Sequence, residues 1–156
     1  MRFNLVDQIV EVEPNQSLTA LKNLTSGEEY LADHFPSFPV MPGVLMLQAL
    51  VESAAWLLRL SENFKNSIIV LRDAKNVKYG SFLQPGSQML LKVNLVSNEG
   101  SQATFKGQGE VEGKRTVNAK FTVAQYNLRD KDPELAETDE DIVKHYRSLA
   151  RLLQKS

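Results

Sequence analysis

The 156-residue sequence predicts an α+β fold in which an antiparallel sheet wraps a long central helix, with an extra helix at the C-terminus. Three observations carry that expectation. Residues 42–63 read as a helix that is apolar on most sides. β-rich segments separated by sharp turns lie on both sides of it. In the tail, Ile142, Tyr146, Leu149 and Leu153 fall at i, i+4, i+7 and i+11, the spacing of one helix face.

Residues 3–12 and 17–24 lean toward β structure and flank the turn-like Glu13-Pro14-Asn15-Gln16, which makes them a hairpin. One helical turn is expected over Gly27 to Asp33, before a proline-rich loop. Pro42 suits the first turn of the long helix because its missing N–H has no intrahelical partner there. Val44, Leu45, Leu47, Leu50, Val51, Ala54, Trp56, Leu57 and Leu58 cannot share one narrow stripe, so the helix must be enclosed. Strands are expected at 67–78, 88–97, 101–112 and 115–126, with turns at Gln84-Pro85-Gly86-Ser87, Asn98-Glu99-Gly100 and Glu112-Gly113-Lys114. Residues 1–128 form the body, and 129–156 a charged linker and amphipathic helix. Thr138 and Asp141 have the spacing of a helix cap, and the apolar stripe beyond them needs a docking surface on the body or its dimer.

Composition removes several functions. With 42% hydrophobic and 24% charged residues the chain supports one well-buried domain. A formal charge of -1 gives no bulk attraction to phosphate backbones, so nucleic acid is not an expected partner. The absence of cysteine removes disulfides, thiolate metal sites and cysteine nucleophiles, and agrees with a reducing compartment. The start, MRFNLVDQIVEVE, has no cleavable signal character, and Gln48, Glu52 and Ser53 interrupt the longest apolar run. A cytoplasmic protein with no membrane span is expected. His145 is expected to face solvent from the tail helix without a second His or Cys beside it, so no metal and no cofactor are expected.

The chemistry concentrates in HFPSFPVMPGVLMLQALVESAAW, residues 34–56. Pro36, Pro39 and Pro42 recur every third residue and stiffen the loop beside His34, which suits a base that must be held in place. Gly43 permits close approach at a helix N-terminus, where free N–H groups favour developing negative charge; a thioester oxygen fits there.

His34-Phe35-Pro36 followed by Pro39-Val40-Met41-Pro42-Gly43-Val44-Leu45 resembles the bacterial 3-hydroxyacyl-acyl carrier protein dehydratases of fatty acid synthesis. LVDQIVEVEP, LKNLTSGEEYLADHFP and FLQPGSQMLLKVNLV resemble that family's segments in the same order, so the likeness spans residues 4–126 and leaves the tail uncovered. The resemblance implies the hotdog fold, a homodimer or dimer-based hexamer joined sheet edge to sheet edge, and active sites at the dimer interface. It implies an acyl carrier protein with a phosphopantetheine-linked acyl chain as partner, and loss of water from a 3-hydroxyacyl thioester to give the trans-2-enoyl thioester. His34 would take the C2 proton and the Gly43 N–H would steady the thioester oxygen. Phe38, Pro39, Val40, Met41, Pro42 and Phe82 are the candidate substrate-binding residues.

The family's acid, which protonates the departing hydroxyl, falls at position 48, and this chain has Gln48 there. An amide holds a hydroxyl or water by hydrogen bonds but gives up no proton near neutral pH. Three readings stand open. His34 serves alone, passing its proton to the leaving group; or Glu52, one turn further on the same helix face, is a relocated acid; or catalysis is lost, leaving an acyl-thioester-binding protein or the inactive subunit of a heteromeric dehydratase. The plainer account makes Gln48, Glu52, Arg59 and Glu62 a polar seam facing solvent or the dimer partner. Arg72, Lys75 and Lys78 form a small basic group suited to an acidic carrier protein.

Overall fold

The computed structural model describes residues 4–32 and 39–154. The first hairpin, β1 (Gln8–Glu13) and β2 (Ser17–Asn23), turns at Asn15, whose φ of 61° lies in the left-handed region that asparagine adopts more readily than most residues other than glycine. A 3₁₀ turn covers Glu29–Ala32, and α1 (Gly43–Ser61) follows, then β3 (Ile68–Tyr79), β4 (Gln88–Asn98), β5 (Gln102–Val111) and β6 (Lys114–Tyr126). Glu112 and Gly113 both take positive φ between β5 and β6, as a tight hairpin with the right-handed twist of its strands requires. The strands form one antiparallel sheet in the order β1-β2-β4-β5-β6-β3, leaving the 12-residue β3 as an open edge.

One face of the sheet is apolar and closes on α1. Met89, Leu91 and Val93 of β4 point inward with Phe105 of β5 and Val117, Phe121 and Val123 of β6. Phe105 and Phe121 are register partners and stack with centroids 5.7 Å apart. Gly107 lets the helix come close: a Cβ there would meet the Leu50 methyls at 3.3 Å and the Phe121 ring at 3.1 Å. By length and composition α1 passes for a membrane span, yet it is the wrapped core helix.

The tail departs from its expected start. Thr138 and Asp141 lie inside α2 (Ala136–Leu153), so neither caps it. Asp132 accepts the Glu134 N–H at 3.0 Å to cap a 3₁₀ turn, Pro133–Leu135, that runs directly into α2. Pro133 explains the shift, since proline is preorganised for a first helical turn. The anchor is Asp139, 1 % exposed, which accepts hydrogen bonds from Ser67 Oγ and from the Leu128 and Arg129 N–H groups at 2.9 and 3.0 Å. Burial pushes this carboxyl up, but the Ser67 and backbone donors, with the Arg129 charge, hold it below the usual carboxylate range.

The apolar stripe of α2 docks on the body. Ala150 and Leu153 join the core, and Tyr146 meets the Trp56 ring edge-on at 5.8 Å. Arg147 lies 4.6 Å over the Phe64 ring and donates to Asn63 Oδ1 and Asn63 O, sealing the end of α1.

Candidate active site

Val40 and Met41 are buried in the isolated chain, and the Met41 N–H donates to Leu83 O at 2.9 Å, which ties the segment entering α1 to the loop after β3. Pro42 is the N-cap rather than the first helical residue, because its ψ of 138° is extended; Leu45 and Met46 donate to its carbonyl at 3.0 and 3.2 Å. Gly43 is therefore the first residue of α1, and its N–H has no acceptor inside the helix. The Tyr79 ring packs against it so closely that a Cβ on Gly43 would fall 2.9 to 3.1 Å from three ring carbons. Pro39 is exposed and Phe82 is 65 % exposed, at the same end of the helix. His34 and Phe38 lie outside the described residues.

Along α1 the polar residues meet different surroundings. Gln48 is exposed. Glu52, one turn on, is half-buried under the N-terminal segment: the Leu5 N–H donates to its Oε1 at 3.4 Å, while Oε2 is buried with no partner among the described residues. Burial pushes the Glu52 carboxyl up from 4.5 to about 7, against the pull of the Leu5 N–H and of the Arg59 and Lys22 charges. Arg59 is 7 % exposed, so the expected solvent-facing seam is corrected here: α2 covers its far end. Its guanidinium lies 3.7 Å from the Tyr146 ring centroid and 5.1 Å from that of Trp56. Glu62 accepts a hydrogen bond from Asn98.

Against this geometry, the sequence pattern of the FabA-like domain matches residues 1–120. The chain belongs to the FabA-like domain family. Among curated relatives of this family member, it is 37% identical over 138 residues to the 3-hydroxyacyl-[acyl-carrier-protein] dehydratase FabZ of Myxococcus xanthus, covering 87% of this chain and 88% of that one. The Rickettsia bellii protein of the same name is 37% identical over 121 residues, covering 77% and 83%. Among solved structures, the dehydratase heterocomplex ApeI:P from Xenorhabdus doucetiae superposes with a TM-score of 0.67 at 14% identity, over 85% of this chain and 90% of that one. The fold is the hotdog fold.

Within this FabA-like fold, Gly43, Gln48 and Glu52 share the N-terminal and middle turns of one helix. Sequence reasoning did not single out Tyr79 as the cover of Gly43, or Tyr146 as the partner of Arg59. No local signal marks either contact, since each joins segments far apart in the chain. Among the described residues no cluster of His, Cys, Asp or Glu has the make-up of a metal site.

The raised Glu52 carboxyl has a thermodynamic consequence. The folded chain holds this proton to higher pH than the unfolded chain does, so the contribution is fully present below about 4.5 and lost as pH rises through about 7. At ~1.4 kcal/mol per pKa unit, the loss is on the order of 3 kcal/mol. Glu52→Gln is expected to remove that part of the pH dependence and to raise stability at pH 8, measured by urea unfolding at pH 5 and pH 8. An unchanged pH dependence in the variant would contradict it.

Proposed function

We propose that this chain is a 3-hydroxyacyl-acyl carrier protein dehydratase of fatty acid biosynthesis that works as a cytoplasmic homodimer or dimer-based oligomer, with Glu52 supplying the proton that glutamine at position 48 cannot. The names of its curated relatives support the reaction. The observation that carries the assignment of the acid is Glu52 itself, a carboxyl one turn from Gln48, shielded by the N-terminal segment and with one oxygen unpartnered among the described residues.

In the proposed mechanism His34 takes a proton from C2 of the 3-hydroxyacyl thioester. Negative charge gathers on the thioester oxygen, which accepts the Gly43 N–H at the positive end of α1. The C3–O bond breaks as the hydroxyl receives a proton, and the C2=C3 double bond forms. Gln48 orients the departing hydroxyl by hydrogen bonds, and the Glu52 proton reaches it through a water held by that amide. A group that titrates near 7 is matched to proton transfer at neutral pH. Solvent then returns a proton to Glu52 and removes one from His34.

The dimer accounts for the exposure of Gln48, which would face the partner's histidine loop. It also accounts for β3, an open edge with Val70 and Leu71 exposed, which would pair with the same strand of a second copy. Pro39, Val40, Met41, Pro42 and Phe82, with Phe38, would line the approach of the acyl chain, and the exposed Arg72, Lys75 and Lys78 would meet the acidic carrier protein. Residues 1–128 would be the catalytic body and 129–156 its accessory tail.

The test is a mass-spectrometric assay of the purified protein with 3-hydroxyacyl- and enoyl-carrier thioesters, run in both directions. Interconversion of the two is the expected result. Release of free acid would make the chain a thioesterase, and tight binding without turnover would make it a binding module or the inactive half of a heteromer; either overturns the proposal.

A further inference from the structure

We propose that Arg59 is a positioning residue for the Glu52 carboxyl, and that the C-terminal helix holds it in that role through Tyr146. The inference rests on the reading of Glu52 as proton donor and adds what controls that donor. Glu52 and Arg59 are seven residues apart on α1 and so lie on one side of the helix, two turns from each other. Glu52 Oε2 and Arg59 Nε are both buried and both lack a hydrogen-bond partner among the described residues. An arginine stays charged under such conditions, and its field is felt strongly where water is excluded.

The neighbouring charges single out Arg59. Lys22 also acts on Glu52, but its ammonium is engaged locally, with Glu28 Oε1 at 2.5 Å and Asp7 Oδ2 at 3.8 Å. Asp7 acts on Glu52 in the opposite sense. Arg59 forms no ion pair within 4 Å among the described residues; Tyr146 lies over it, and Asp141 and His145 of α2 line the cavity of about 650 Å³ beside it. Glu52 is the carboxylate whose charge acts on Arg59, beside the closer Tyr146.

The holding contacts come from two elements. Trp56 belongs to α1, but Tyr146 stands on α2, and its ring is the closer, at 3.7 Å against 5.1 Å. Stacked on these aromatic faces, the guanidinium is kept beside the seam, where an arginine on an uncovered helix would extend into water. The tail helix, which lies beyond the matched 1–120 segment, thereby acts on the acid from a distance.

The direct test is a carbon-13 NMR pH titration of the Glu52 side chain, with the pH profile of kcat/KM beside it, in the natural protein, Arg59→Met, Arg59→Gln and Arg59→Lys. Removing the cation takes away a force favouring the carboxylate, so Met and Gln are expected to move the titration upward by at least about half a pH unit. The alkaline limb of the profile should follow, and Lys should restore most of both. A Glu52 titration that stays in place in either neutral variant overturns the positioning role. A titration that moves while the profile does not leaves Arg59 in its role and removes Glu52 as the proton donor. Tyr146→Leu keeps the apolar stripe and is expected to release the Arg59 Nε–H into fast exchange with water; an Nε–H that stays protected leaves the tail helix no part in it.

Discussion

Glu52→Gln is expected to lower turnover of a 3-hydroxyacyl-carrier thioester by ~100-fold or more, the scale at which general acid catalysis contributes. The substitution keeps the size of the side chain and its acceptor for the Leu5 N–H, so the fold around it should survive. The informative partner is Gln48→Glu. In the natural protein it should add little, because a donor already stands one turn away. In the Glu52→Gln background it should recover at least about tenfold, since a carboxyl is then returned to the exposed position nearer the N-terminus of α1. His34→Ala serves as the control that removes the base in every background. Unchanged turnover in Glu52→Gln, with Gln48→Glu raising the rate of the natural protein, would return the mechanism to the single-base route. Steady-state kinetics on the four combinations of residues 48 and 52 separates these outcomes.

Asp139→Ala should give the largest loss of stability. The carboxylate is buried and satisfies a serine hydroxyl and two backbone N–H groups, so its removal leaves three donors without their acceptor, the hydroxyl buried and the two N–H groups part-buried. Stranded donors typically cost ~1–3 kcal/mol each, with partial relief from water entering the gap, which puts the expected loss at about 3–5 kcal/mol. The effect should be confined first to the tail: hydrogen exchange across residues 136–153 should rise before that of α1 or the sheet. Asn at this position keeps an acceptor and should lose less. A variant that unfolds by urea at the natural midpoint, with α2 still protected, would show that the stripe of Tyr146, Ala150 and Leu153 holds the tail without the anchor.

The contrast between those two carboxylates explains what sequence could convey. Alternation in β4, β5 and β6 and the turn residues between them place the strands to within a residue or two, because burial on one face enforces a period of two. The all-round apolar character of α1 likewise announces a wrapped helix. Which of its polar residues end up covered is another matter. Arg59 is buried because residue 146 returns to it, and local pattern carries no trace of that return. Asp139 escaped notice for a similar reason: Thr138 and Asp141 match a capping pattern, whereas the partners of Asp139 sit at positions 67, 128 and 129. Gly43 and Gln48 occupy the helix positions their motif implies, since a Pro-Gly helix start is a local event. His34 and Phe38 lie outside the described residues.

The anchoring of α2 also orders the chain's own synthesis. Ser67 and the residues around 128 leave the ribosome before Asp139 does, so the sheet and α1 begin to assemble before α2 has emerged to cover them. Until then Trp56 and Arg59 have no cover, and an 18-residue segment cannot hold helical structure firmly without the surface it packs on. Completion of the seam therefore waits for residues 136–153 to emerge, and until they dock the arginine that α2 buries stays in water.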